Sequence, residues 1–468
     1  MNQIYLKRAA LTIALFVSFS TVAPLAFAQK AAKAPLVQER NVRAAMEFLA
    51  SDAMQGRGSG TIYERIAAEY IGSQFQQFGL EPAGEKNASG AQTYLQTVEV
   101  PGRAQLKDVQ FGGVPGNGLT FGKDIGAFSI SAKDISGELQ KIKFGDAVKK
   151  GAVVFVALDE ADTFQSFRAK LGTIFQGGAT AVILSETKET RENWESLAGQ
   201  KPALSQRGSI FVVNKAAGDA LSKLADGAKI EITATFSEPQ KSNTWNAAGK
   251  ITGSDAKLGA EVVLISSHLD HVGVRENAKG DDKIFNGADD DASGTVAVLE
   301  LARALAAGPK PKRTVYFVCF GSEEAGGHGS RYFADNLPFP QEKFVANLQF
   351  EMIGRPDAKV KPEELWLTGY ERSNLGPELA KRGAKLVADP HPEQNFFQRS
   401  DNYTLARKGI IAHTVSSFGL HTDYHQPSDE NDTIDFLHMT RAINSMVAPV
   451  SWLVNSNFVP AWNEGKKP

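Results

Sequence analysis

The segment FNGADDDASGT, residues 285–295, sets Asp289, Asp290 and Asp291 side by side among small residues. Adjacent like charges repel, and a surface turn needs at most one such side chain. The run is therefore either a solvated acidic turn or a site for a doubly charged cation. Further groups with chemistry to offer are His268 and Asp270 in HLD, the pair Glu323-Glu324, Glu351 in FEM, and His421 and His425 in HTDYHQPSDE. Two histidines with three or more carboxylates and no cysteine match the ligand preferences of zinc, cobalt or manganese. A pair of ions needs one shared carboxylate and a few terminal ligands, and such a pair activates water and polarises a carbonyl. Adjacent glutamates suit this chemistry, because one can ligate while the other accepts the proton of the attacking water. His421 and His425 have the i, i+4 spacing of a helical metal pair, but Pro427 disfavours helix at Gln426. Only one of the two is expected to ligate. His271, His328, His391, His413 and His438 are read as structural or solvent-facing.

The elements around these residues explain why they would meet. From about residue 244 onward, apolar runs alternate with amphipathic stretches. EVVLISS (261–267), RTVYFVCF (313–320), FVANLQFEM (344–352) and GIIAHTVSS (409–417) read as strands, VAVLELARAL (296–305) and DFLHMTRAINSMVAPVSWLV (435–454) as helices. This alternation predicts an α/β fold with a mixed, mostly parallel central sheet flanked by helices. Ligands in such folds sit beyond the C-terminal strand ends. His268-Asp270, Glu323-Glu324 and Glu351 each follow a strand directly, and the triple aspartate precedes a helix starting near Ser293.

Upstream, Thr61 with Glu64 reads as a capping box opening a helix over 61–79. The stretch 104–240 differs in texture: it lacks histidine and carries β-like runs at 152–158, 180–185, 209–213 and 229–236 around a helix near 163–176. The expected organisation is a signal over 1–28, an N-terminal part of the main domain over 29–103, a β-rich insert over 104–240, and the rest of the main domain over 241–468.

Residues 1–31 have the pattern of a secretory signal. Lys7 and Arg8 precede an apolar stretch from Ala9 to Ser20, and Ala26-Phe27-Ala28 forms a small-x-small cleavage site. Export to a periplasm or the medium is expected, with a mature chain beginning near Gln29 and no further membrane-spanning segment. The lone cysteine, Cys319, lies in an apolar strand, which excludes an internal disulfide and reads as core filler. A formal net charge of -2 offers no electrostatic case for nucleic acid.

Taken in order, HLDHVG, GADDDASG, FGSEEAGGHGS, FEMIGR and DYHQPSDENDTID closely resemble metallopeptidase family 28, the secreted di-zinc aminopeptidases. LASDAMQGRGSGT and the helix after it resemble that family's N-terminal segment. KKGAVVFVALDE and AKLGTIFQGGATAVILSE resemble a protease-associated domain. The resemblance implies the zinc-aminopeptidase fold and two divalent metal ions, with zinc favoured. His268 and Glu351 would bind one ion, Glu324 and His425 the other, with Asp290 bridging. It implies Glu323 as general base, Asp270 as the group that orients His268, and Tyr424 as a hydrogen-bond donor to the oxyanion. Glu351 is one methylene longer than the aspartate common at that position.

The implied activity is removal of N-terminal residues from peptides bearing a free α-amine. The alternatives on the same scaffold are carboxypeptidase action or glutaminyl cyclisation, and, from a different class, a binding protein that has lost catalysis. The last would lack ligands, whereas every expected ligand and Glu323 are present.

Overall fold

The computed structural model describes residues 37–102, 104–114, 119–206 and 208–468. The signal sequence expected at 1–28 lies outside the described residues. Among those described, no helix is long and apolar enough to cross a membrane.

The main sheet is built on four parallel strands ordered Thr314–Phe320, Val262–His268, Phe344–Phe350 and Ala412–Ser416. Ser242–Ile251 adds antiparallel to one side and Leu365–Leu367 to the other, giving a mixed, mostly parallel sheet. The central strands are buried along their whole length, which is why they read as unbroken apolar runs. Side chains alternate between faces. Val263, Ile265, Phe317 and Leu348 pack with the helices Gly294–Ala306 and Phe436–Asn455, while Leu264, Tyr316 and Val318 face the layer around Phe333 and Leu405. Cys319 lies in the first layer, and burial pushes its thiol up to about 12.

The helix Ile62–Gln77 opens as the sequence predicts, with the Thr61 side chain accepting from the Glu64 amide. The reciprocal half of the expected capping box is shifted by one residue. One Glu64 oxygen accepts the Gly60 N–H, and the other accepts from Ser322 N and Thr244 Oγ1. Burial, with Asp270 nearby, raises Glu64 to about 8. The helix is thereby tied to the turn that carries Glu323.

The segment between Leu95–Val100 and Ser242–Ile251 forms a separate seven-stranded sheet. Its strands include Val153–Val156, Ala181–Ser185, Ser209–Val213 and Lys229–Phe236, with helices Phe164–Gln176 and Lys215–Lys223. It has apolar cores of its own. Val100 pairs with Ser242, so both ends of the insert leave the main sheet at one place.

Candidate metal centre

The parallel strands end together, and the polar residues gather at that edge. His268 is the last residue of its strand. Glu323 and Glu324 follow the turn after Phe320, and Glu351 follows Phe350 directly. Parallel direction alone puts them on one side. Loops must bring in the rest.

The triple aspartate resolves into distinct tasks. Asp289 turns away, accepting from Gly354 N at 2.7 Å and lying 3.0 Å from His421 Nε2. Asp291 turns the other way and accepts the backbone N–H groups of His268, Gly294 and Met352. Asp290 faces the centre, its Oδ1 3.3 Å from His268 Nε2 and its Oδ2 3.2 Å from His425 Nε2. Asp429 fastens the loop from behind by accepting the amides of Asp289 and Asp290. The Asp290–Asp291 peptide is cis.

His425 Nε2 also lies 3.0 Å from Glu324 Oε1. His421, with its side chain on Asp289, is outside this cluster, so the two histidines of HTDYHQPSDE divide as their non-helical setting requires. On the far side of Asp290, Glu351 accepts hydrogen bonds from Ser400 Oγ and Gln349 Nε2. Asp270 is placed differently from the expected imidazole partner. Its carbonyl oxygen is 3.2 Å from His268 Nδ1, whereas the nearer carboxylate oxygen is 3.8 Å away. The carboxylate instead accepts the amides of Glu323 and Glu324 and the Ser59 hydroxyl, at 3.0, 3.3 and 2.5 Å. It orients the glutamate turn. Tyr424 stacks on the His425 ring with centroids 4.0 Å apart.

The structure puts two further residues here: His271, which reads from the sequence as structural or solvent-facing, and Arg57, which the sequence does not single out. His271 is buried with its Nδ1 3.0 Å from Glu324 Oε1. His271, Asp290, Glu324 and His425 offer ligand atoms all within 4.8 Å of one another. The HLDH spacing carried that signal, but a histidine three residues past a candidate ligand has no fixed direction in a loop. Arg57 is fully buried behind the site and donates to the carbonyls of Leu49, Leu269, Asn286 and Gly287. It joins the loops that carry His268, His271 and Asp290.

The electrostatics fit a cation. Burial alone would keep His268 neutral, yet Asp291, Asp270 and Asp290 hold it well above its ordinary value. Burial likewise opposes charge on His425, but Asp290 and Glu324 raise it to about 9. Carboxylates that draw protons onto imidazoles this strongly would draw a metal ion for the same reason. Both ring nitrogens of His271 are buried without a hydrogen-bond partner, as uncommitted ligand atoms would be. Glu323 is pushed well above the carboxylate range by burial and by Asp401, Glu351 and Glu324.

A pocket opens beside the cluster. Its polar wall is Asp290, Glu323, Glu324 and Glu351, and its apolar wall includes Met352, Trp366, Phe396, Phe418 and Tyr424.

Comparison with known proteins places this geometry in context. Residues 246–450 match the model of peptidase family M28. The chain is 23% identical over 413 residues to Aminopeptidase YwaD of Bacillus subtilis, covering 86% of this chain and 82% of that protein. It is 29% identical over 227 residues to Leucine aminopeptidase 2 of Arthroderma otae, 46% of this chain and 43% of the relative. Among solved structures, an aminopeptidase from Aneurinibacillus sp. strain AM-1 superposes with a TM-score of 0.57 at 21% identity, covering 90% of this chain and 95% of the other. A zinc aminopeptidase from Bacillus subtilis does so with a TM-score of 0.54 at 20% identity, covering 91% and 97%. These likenesses show the fold.

Proposed function

Because residues 246–450 belong to peptidase family M28 and the chain is accordingly a peptide hydrolase, we propose that it is an exported di-zinc aminopeptidase. The observation that carries this reading is Asp290, which offers one carboxylate oxygen toward His268 and the other toward His425. We assign His268 and Glu351 to one ion, Glu324 and His425 to the other, and Asp290 to both. Two ions held there would supply Lewis acidity at the scissile carbonyl and make water a nucleophile at neutral pH.

The protein's own groups do the rest. Glu323, next to a ligand and lining the pocket, takes the proton of the attacking water and returns it to the leaving amine. Asp270 fixes Glu323 and Glu324 through their amides. Tyr424 donates to the developing oxyanion; burial and the neighbouring carboxylates hold its hydroxyl above the ordinary phenol range, so it stays a donor. Glu323 and Glu351 give the free α-ammonium of the substrate an acidic place to dock, and the aromatic wall receives the first side chain. The signal-like sequence at residues 1–28 supports export.

Aminoacyl p-nitroanilides, each paired with its N-acetylated twin, test the reading. Cleavage of the free-amine members alone, lost on chelation and regained with zinc, is the expected result. Cleavage of both twins removes the aminopeptidase assignment. No cleavage by folded, zinc-loaded protein shifts weight to carboxypeptidase or cyclase substrates.

A further inference from the structure

His271 is completely buried, yet neither ring nitrogen has a hydrogen-bond partner. Buried imidazoles ordinarily find partners, so the two bare nitrogens call for a reason. Nδ1 lies 3.0 Å from Glu324 Oε1 without forming a hydrogen bond to it, and 3.8 Å from Asp290 Oδ2, beyond hydrogen-bond reach. His425 Nε2 approaches the same two oxygens at 3.0 and 3.2 Å. The two rings stand edge to face, 5.5 Å apart at 77°. Four ligand atoms, two imidazole nitrogens and two carboxylate oxygens, thus lie within 4.8 Å of one another. Space for the ring is kept by Gly287, whose φ is +59° and where a Cβ would come within 2.4 Å of the imidazole Cγ.

Resting on the two-ion reading above, we propose that His271 is a further protein ligand, through Nδ1, to the ion held by Asp290, Glu324 and His425. That donor set then has two imidazoles and two carboxylates, the four protein ligands of a closed site. His268, Asp290 and Glu351 supply three, the number found in open catalytic sites. The asymmetry gives the first set a holding role and leaves the second to engage the substrate.

The test uses the whole protein, labelled with ¹⁵N in its histidine rings, stripped of metal and loaded with two equivalents of ¹¹³Cd. Resolved cadmium–nitrogen coupling is expected for His268, His271 and His425, with His271 coupled through Nδ1. His271→Gln and His425→Gln assign the signals by deletion. Coupling at His268 and His425 but not at His271 overturns the inference alone. Coupling at none of the three overturns the two-ion reading itself. A zinc titration gives an independent readout. Wild type should show two classes of site, and His271→Gln should weaken the tighter class at least tenfold while leaving the other unmoved. An unchanged isotherm in a folded variant counts against the proposal, and if the variant does not fold, the wild-type coupling pattern decides.

Discussion

At the scale of single residues, neighbouring side chains of the same type do different work because their backbone directions differ. Glu324 and Glu323 are adjacent and both line the pocket, but it is the Glu324 carboxylate that lies 3.0 Å from His425 and from His271. Glu323→Gln is therefore expected to keep full zinc content while kcat falls by about 10²–10⁴; metal analysis alongside initial rates checks both halves. Asp290→Ala removes the shared carboxylate and should lose both bound zinc and turnover. Loss of rate with zinc retained would refute its bridging role. His413 allows a pH prediction away from the centre. It is buried, its Nδ1 donates to the Thr368 carbonyl and its Nε2 accepts from Ser373, and burial lowers it to about 4. In the unfolded chain it would titrate near the usual histidine value, so between roughly pH 6.5 and 4 only the unfolded state binds the proton. Stability then rises with pH across that window and is lost on acidification, by roughly 3 kcal/mol once pH 4 is reached. His413→Asn should flatten this part of the difference in unfolding free energy between wild type and variant.

At the scale of elements, the site depends on loops being fastened to one another. Strand direction puts His268, Glu324 and Glu351 at one edge, but Asp290 and His425 arrive on irregular backbone. Asp429 secures the Asp289–Asp290 amides, and the Arg57 guanidinium joins the Leu269, Asn286 and Gly287 carbonyls to Leu49. Arg57→Met leaves several buried carbonyls without donors, at about 1–3 kcal/mol for each one that water cannot reach. We expect a total loss of roughly 3–5 kcal/mol, seen as a lower urea midpoint at unchanged m-value. Zinc affinity should fall about 10–100-fold through misplaced ligands. Wild-type stability in this variant would mean that the loops hold their shape unaided.

For the whole molecule, the separate cores of the insert and the meeting of its ends at Val100 and Ser242 predict that it can be removed. Replacing residues 103–240 with a short Gly/Ser link should leave zinc content and p-nitroanilide cleavage in place. A groove lined by Val100, Gly102, Gln240, Ser242 and Ala325 runs between the insert's linkers and the loop after Glu324. The insert thus springs from beside the glutamate turn, and its removal should raise kcat/KM for longer peptides more than for dipeptides. Equal change for all lengths would assign it no part in access to the cleft.

The sequence by itself determined the parallel α/β architecture, since strands buried on both faces must be continuously apolar and their C-terminal ends must share an edge. It also marked the candidate ligands, because His, Asp and Glu placed where apolar strands end are costly unless they do chemistry. Tertiary structure decided what local pattern cannot encode. Which of three aspartates faces inward depends on amides from Gly354, Met352 and Gly294 reaching the other two. That His421 leaves and His271 enters depends on where loops far apart in the chain come to rest. The Asp270 carboxylate serves backbone amides more than 50 residues away, and Arg57 serves carbonyls more than 200 residues away. Hydrogen bonds between such distant segments leave no periodicity in a sequence, because their partners are chosen by packing and not by spacing.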